Sequence, residues 1–200
     1  KPNSQTIDHT LYAQPALFSV SYALAKLWMS LGIKPQAFIG HSLGEFVAAH
    51  LAGVFSLEDA LKLVTTRATL VSTLPQGAML AVRIPQDRVA ELLGEGISHA
   101  LINSPNNHVF SGTPEKISHL TEKVAALGFA HAPVNTTHAF HSAAMDPVVE
   151  PFQRVVASVT LNPPRIPIIS SVTSTYLKDS EATSPLYWAN HLRATVRFSE

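Results

Sequence analysis

Cysteine is absent from the 200-residue chain. That excludes a disulfide framework, a thiolate metal site and a cysteine nucleophile, and it suits a reducing cytoplasm, the location expected here. An excess of charge of either sign is also missing: 14 Lys and Arg balance 14 Asp and Glu, and no basic cluster stands out. A nucleic-acid or anionic-membrane surface is therefore not expected. No apolar run reaches the roughly 20 residues that cross a bilayer, and no signal peptide opens at Lys1. Internal repeats, low-complexity tracts and heptad runs are missing too. What remains is a globular composition, 46% hydrophobic, long enough for one domain or for a domain carrying a subdomain. The chain lacks an initiating methionine and stops straight after the apolar Phe198, so it reads as a segment truncated at both ends from something longer.

The most informative stretch is Phe38 to Phe46, Phe-Ile-Gly-His-Ser-Leu-Gly-Glu-Phe, a G-x-S-x-G pattern with an apolar run before it and a helix-forming run after. Small residues on both sides of the serine let a strand turn sharply into a helix and push Oγ outward. Ser42 is thus a candidate nucleophile. The Leu43 N–H falls at the N-terminus of the following helix, where unpaired donors and the helix dipole stabilise an oxyanion. A tight turn in which Ser42 merely caps the helix is the alternative, and the motif alone does not decide.

Read in order, residues 1–14 are polar and irregular. Pro15 opens a helix with Leu17, Val20, Leu24, Leu27, Trp28 and Leu31 on one face, and Gly32 stops it. A short strand, Ala37 to Ile39, leads to the elbow. The helix after Ser42 carries Ala48, Ala49 and Ala52 and ends at Gly53. Ser56 and Asp59 begin the next helix, whose apolar stripe includes Val64, Ala68 and Val71. Arg67 falls on that stripe. A buried guanidinium there needs an anionic partner, unless it lies at the edge and snorkels to water.

Leu74-Pro75-Gln76-Gly77 breaks the pattern. Strands at 78–84, 99–103, 109–111 and 129–134, with helices from Asp87 to Leu93 and after Thr113-Pro114, give the order βαββαβ, a ferredoxin-like subdomain inserted in a larger α/β domain. Three segments are expected: 1–76 as the first part of the core, 77–136 as the subdomain and 137–200 as the second part. In the last, Asp146-Pro147 starts a helix, Ile166 to Thr173 reads as a buried strand, and Tyr187-Trp188 as packing anchors.

A serine nucleophile needs a base, and histidine suits neutral pH. Ten histidines are available. Consecutive residues of an elbow diverge, so His41 points away from Oγ and helps hold the turn. His50, His99, His108, His119, His131 and His191 fit surface or satisfied structural roles. His138 and His141 share a polar loop between subdomain and helix, where a cleft forms. As metal ligands they lack company: there is no H-E-x-x-H and only Asp146 nearby, so metal is not expected.

Gly-His-Ser-Leu-Gly-Glu (40–45), Arg67 with Gly77-Ala78-Met79 downstream, Asn103-Ser104-Pro105, His-Ala-Phe-His-Ser (138–142) and Tyr187-Trp188 followed by Val196-Arg197-Phe198 come in an order that resembles the acyltransferase domain of type I polyketide synthases, a family related to malonyl-CoA:acyl carrier protein transacylases. The resemblance runs from about Thr10 to Glu200. It implies an α/β-hydrolase-like core with a parallel sheet plus the inserted ferredoxin-like subdomain. It also implies that Ser42 is acylated from malonyl-CoA with His141 as base, that Arg67 pairs with the malonyl carboxylate, and that a backbone carbonyl, not an aspartate, orients the base. His138 and Phe140 belong to the His-Ala-Phe-His version that accompanies malonyl, where Phe140 fills room an α-methyl would need; Leu43 agrees. No bound metal or redox cofactor is implied. The acceptor implied is the phosphopantetheine thiol of an acyl carrier protein, with ketosynthase and linker regions on the same polypeptide. Two departures stand out: the family's Gly-Gln-Gly strand, whose glutamine helps form the oxyanion hole, would lie before Lys1, and Ser170-Ser171-Val172-Thr173 replaces the usual Ser-Asn-Val-Thr. A serine hydrolase, or a non-catalytic scaffolding segment of the same fold, are the rival readings.

Overall fold

Two sheets organise residues 7–200, which the computed structural model describes. The first is parallel and short: β1 (Phe38–Ile39) pairs with β6 (Ile168–Ile169), Phe38 opposite Ile168. The second is antiparallel, with β2 (Ala78–Arg83), β3 (Ile97–Ser104), β4 (Asn107–Gly112) and β5 (His131–Pro133) in the order β3-β4-β2-β5. That order is the ferredoxin-like one, with the first and third strands of the βαββαβ unit central. Helix α4 (Pro114–Ala126), N-capped by Thr113, covers one face through Ile117, Leu120 and Val124. Around the parallel pair lie α1 (Thr10–Ser30), α2 (Gly44–Ala52), α3 (Leu57–Ser72), α5 (Asp146–Val156) and the short α6 (Asp179–Ala182) and α7 (Pro185–Asn190). None of these helices is long and apolar enough to cross a membrane.

Several sequence expectations change. Helix α1 begins at Thr10, so residues 10–14 are helical, while residues 1–6 of the expected irregular segment lie outside the described residues. Pro15 sits inside the first turns, where it forfeits one bond, to the Leu11 carbonyl. The expected inward stripe of α1 faces outward: Leu17, Val20, Leu24, Leu27, Trp28 and Leu31 are all more than half exposed. The row that is buried instead is Thr10, Gln14 and Phe18, spaced by four: Gln14 meets the buried Arg67, Thr10 bonds Gln14, and Phe18 joins the apolar core. The segment after β2 is a 3₁₀ helix, Gln86–Leu92, not an α-helix. The strand expected over 166–173 stops at Ile169, because Ser170 Oγ accepts from the N–H groups of Val172 and Thr173 at 3.1 Å and bends the chain.

The sheets are joined at more than one place. Gly77 donates to the Thr137 carbonyl at 2.9 Å, and a Cβ on Gly77 would lie 2.3 Å from the Ala139 nitrogen, so entry to and exit from the small sheet are pressed together. The chain's end also returns to that sheet: Ile102 N–H donates to Val196 O at 2.8 Å and Val196 N–H to Ala100 O at 2.9 Å. This extra pairing along β3 is too short to read from sequence.

Aromatic packing fixes the larger half. The buried Phe46 ring of α2 lies 5.2 Å from Trp188, 6.2 Å from Phe55 and 6.3 Å from Phe152. Trp188 also donates Nε1–H to Ala182 O at 2.9 Å, so its polar edge is satisfied. One ring thus pins α2, α5 and α7 together. Phe46→Ala should destabilise the protein by about 3–5 kcal/mol in chemical denaturation; a loss under about 1 kcal/mol would show that the cluster closes over the cavity.

Candidate active site

The loop between β1 and α2 turns on a left-handed serine. Ser42 has φ 49°, uncommon for a non-glycine residue. Gly40 makes the turn possible, since a Cβ there would stand 2.2 Å from the Glu45 nitrogen. Gly44 has open space where its Cβ would be, so only one of the two elbow glycines is sterically required, which corrects the symmetrical reading of the motif. The N–H groups of Gly44, Glu45 and Phe46 donate to His41, Ser42 and Leu43 carbonyls at 2.9–3.0 Å. The Leu43 N–H, at the head of α2, has no acceptor among the described residues.

Ser42 Oγ lies 2.7 Å from His141 Nε2, and His141 Nδ1 lies 2.8 Å from Ala194 O. A carbonyl only accepts, so Nδ1 carries the proton, and the Nε2 lone pair faces the serine hydroxyl, which donates to it. His141 is buried, with φ 56°, and its N–H donates to Leu192 O at 3.3 Å. Burial first, then the neighbouring His191 and Arg67, push its pKa well below the ordinary imidazole range. The ring is therefore a free base at neutral pH.

Arg67 is 2% exposed, and burial pushes its pKa down to about 10. No carboxylate lies within ion-pairing distance of it among the described residues. Its Nη1 donates to Gln14 Oε1, its Nε has no partner, and the Phe140 ring centroid is 5.8 Å from Cζ. Of the two fates open to this arginine, burial holds and snorkelling does not. A cleft of about 300 Å³ opens beside it, lined by Ser42, Leu43, His141, Phe140, Gln14 and Thr10 among others. His138 is buried next to the cleft instead of lining it: its Nδ1 bonds Thr137 Oγ1 at 2.9 Å, and its ring meets Phe140 edge-on at 6.2 Å.

Two parts of the site escape the sequence reading. Gln14 falls there in an irregular segment. Glu45 stands there only as a letter of the elbow motif, yet it is fully buried and accepts from Ser171 N–H at 2.8 Å, Ser171 Oγ–H at 2.6 Å and Tyr187 Oη–H, with His191 Nε2 at 3.4 Å. Burial alone would raise its pKa; these donors outweigh it and hold the carboxyl below the ordinary range. Ser171, which replaces the usual asparagine, is thus a donor to the elbow. His41 does turn away from Ser42, its Nε2 bonding Asn103 Oδ1 at 2.8 Å on β3. Among the described residues no three His, Cys, Asp or Glu side chains gather closely enough to hold a metal ion.

The sequence matches the family profile described as "Acyl transferase domain" over residues 1–200. Mycoketide-CoA synthase of Mycobacterium tuberculosis is 40% identical over 195 residues, 97% of this chain and 5% of that protein. Polyketide synthase GfsB of Streptomyces halstedii is 39% identical over 97% of this chain, which spans 4% of it. Among solved structures, the acyltransferase domain from the second module of the salinomycin polyketide synthase superposes with a TM-score of 0.92 at 38% identity, covering 98% of this chain and 47% of that one. FabD from Acinetobacter baumannii gives 0.88 at 29% identity, over 96% and 65%. The chain therefore spans a small fraction of the synthases it matches and about half of the salinomycin domain.

Two outcomes check the geometry. Gly40→Ala should abolish function and Gly44→Ala should not, measured by covalent labelling of Ser42 with an active-site serine reagent; equal labelling would contradict the packing at Gly40. Because the His141 pKa is depressed, kcat/KM should hold level as pH falls through about 6.5 and decline only below it. An acidic limb at or above about 6.5 would show that the base is not the buried imidazole.

Proposed function

The chain belongs to the acyl transferase domain family, and on that premise we propose that it loads malonyl from malonyl-CoA onto Ser42 and passes it to the phosphopantetheine thiol of an acyl carrier protein within a polyketide synthase. The observation that carries this reading is the conjunction, at one cleft, of a serine–histidine pair and a buried arginine with no anionic partner among the described residues.

In this reading His141 Nε2 takes the Ser42 proton as Oγ bonds to the thioester carbonyl, and the Leu43 N–H donates to the oxyanion. The C–S bond breaks, and His141 returns the proton to the leaving coenzyme A thiolate. In the second half the carrier thiol gives its proton to the same nitrogen, sulfur bonds to the carbonyl, and the Ser42 ester oxygen leaves and is reprotonated. Arg67 supplies what a dicarboxylic acyl group needs and an acetyl group does not, a charge for its free carboxylate. SpnD, whose acyltransferase domain is 39% identical, was solved in complex with 2-(pent-4-yn-1-yl)malonyl, which accords with a malonyl-type acyl group here. Phe140 narrows the cleft against an α-methyl, and His138 holds Phe140 from behind. The division into 1–76, 77–136 and 137–200 fits this scheme, with the cleft between core and subdomain, the carrier and ketosynthase as neighbours, and the cytoplasm as compartment.

The test incubates the full-length protein with labelled malonyl-CoA and methylmalonyl-CoA and locates the label by mass spectrometry. Ser42 should carry malonyl, and Ser42→Ala should reduce loading at least about 10³-fold. Arg67→Ala should lower malonyl loading by about 10–100-fold relative to acetyl. Release of malonate to water faster than transfer to a carrier protein would favour the hydrolase reading instead. Equal methylmalonyl loading would remove only the role given to Phe140.

A further inference from the structure

We propose that Gln14 is a specificity-determining residue acting as an amide switch: its Oε1 covers Arg67 in the free site, and when a carboxylate-bearing acyl group arrives the amide turns so that Nε2 donates to that carboxylate beside the guanidinium. The proposal rests on Arg67 as the acyl-carboxylate anchor.

Gln14 lines the cleft and Arg67 does not, so an anion entering from Ser42 meets the glutamine first. Gln14 is itself 5% exposed, and with Phe140 it forms the wall in front of the cation. A guanidinium only donates, so the amide atom facing Nη1 must be Oε1, which leaves Nε2 to donate to Thr10 Oγ1 at 2.7 Å. The partner at the far end decides whether the amide can turn. A threonine hydroxyl both donates and accepts, so after a half-turn Thr10 Oγ1–H donates to Oε1 and no hydrogen bond is lost there. The terminal torsion of glutamine is broad and nearly two-fold, so both orientations lie in ordinary rotamers. In the turned state the carboxylate accepts from Gln14 Nε2 and from Arg67 Nη1, whose acceptor Oε1 has turned away. An acetyl group offers no acceptor, the amide stays on the arginine, and the cation remains covered.

Thr10, Gln14 and Phe18 lie four residues apart on one face of α1, so the helix delivers hinge, switch and core anchor in a single row.

The experiment compares malonyl-CoA and acetyl-CoA loading of Ser42 in the full-length protein. Gln14→Glu supplies Arg67 with a permanent carboxylate, and the malonyl-over-acetyl preference should fall at least about 100-fold, mainly through KM. Gln14→Met keeps the length but removes the donor, and malonyl KM should rise about tenfold with less change in kcat. Thr10→Val should weaken malonyl binding in the same direction by less. A Gln14→Glu protein with the parent's preference, or a Gln14→Met protein with the parent's malonyl KM, overturns the switch. Arg67→Ala separates the two layers: if it leaves the preference intact, the anchor reading fails; if it removes the preference while the Gln14 variants keep it, the switch alone fails.

Discussion

Everything at this site depends on one hydrogen bond, from Ser42 Oγ to His141 Nε2, between residues 99 positions apart. Both ends sit on left-handed backbone, each of which costs of order 1–3 kcal/mol for a non-glycine residue. Such a cost persists only where the surroundings over-determine the conformation. On the serine side, Gly40 lies against the Glu45 nitrogen and three consecutive N–H groups close the turn. On the histidine side, the Leu192 and Ala194 carbonyls take the backbone N–H and Nδ1. The base is thus held by a segment that also pairs with β3 two residues later, so the small sheet helps position the imidazole.

The buried Glu45 shows how the two sides are kept in register. A carboxylate removed from water costs several kcal/mol unless donors replace its hydration. Here the donors come from the loop after β6 through Ser171, from α7 through Tyr187, and from His191, one residue before Leu192. The elbow helix and the segment that orients the base therefore converge on one anion. Burial and the adjacent carboxylate both push the Tyr187 pKa up, which keeps its hydroxyl protonated and donating.

How much of this the sequence carries depends on whether the signal is local. The elbow, Ser42, the βαββαβ order and the Arg67 stripe are local patterns, and each is visible in residue spacing alone. The choice of His141 over His138 is not: both lie in one polar loop, so spacing leaves them equal, the motif resemblance alone points to His141, and the partners that hold that ring, Ser42 Oγ and the Ala194 carbonyl, are 99 and 53 positions away. Helix α1 misleads for a related reason. Its leucines and tryptophan make the stronger periodic signal, whereas the face that meets Arg67 is defined by Gln14, a residue whose burial makes sense only once Arg67 is behind it. Gly44 misleads in the opposite sense, since the motif marks it and the packing does not use it.

The neutral cover on Arg67 also explains why the cation can wait unpaired. An aspartate at position 14 or 140 would satisfy the guanidinium in the folded protein, but it would occupy the site as tightly as any incoming carboxylate. A carbonyl oxygen of glutamine and the face of Phe140 give a weaker, charge-free stabilisation, enough to keep the arginine ionised even though burial brings it down to about 10. On the anchoring role proposed for Arg67, the difference between that neutral contact and a full ion pair is the free energy left for a ligand. Selectivity in such a site comes from leaving a buried charge under-satisfied by a partner that yields, and the two cleft-lining side chains in front of Arg67 do that without introducing a competing anion.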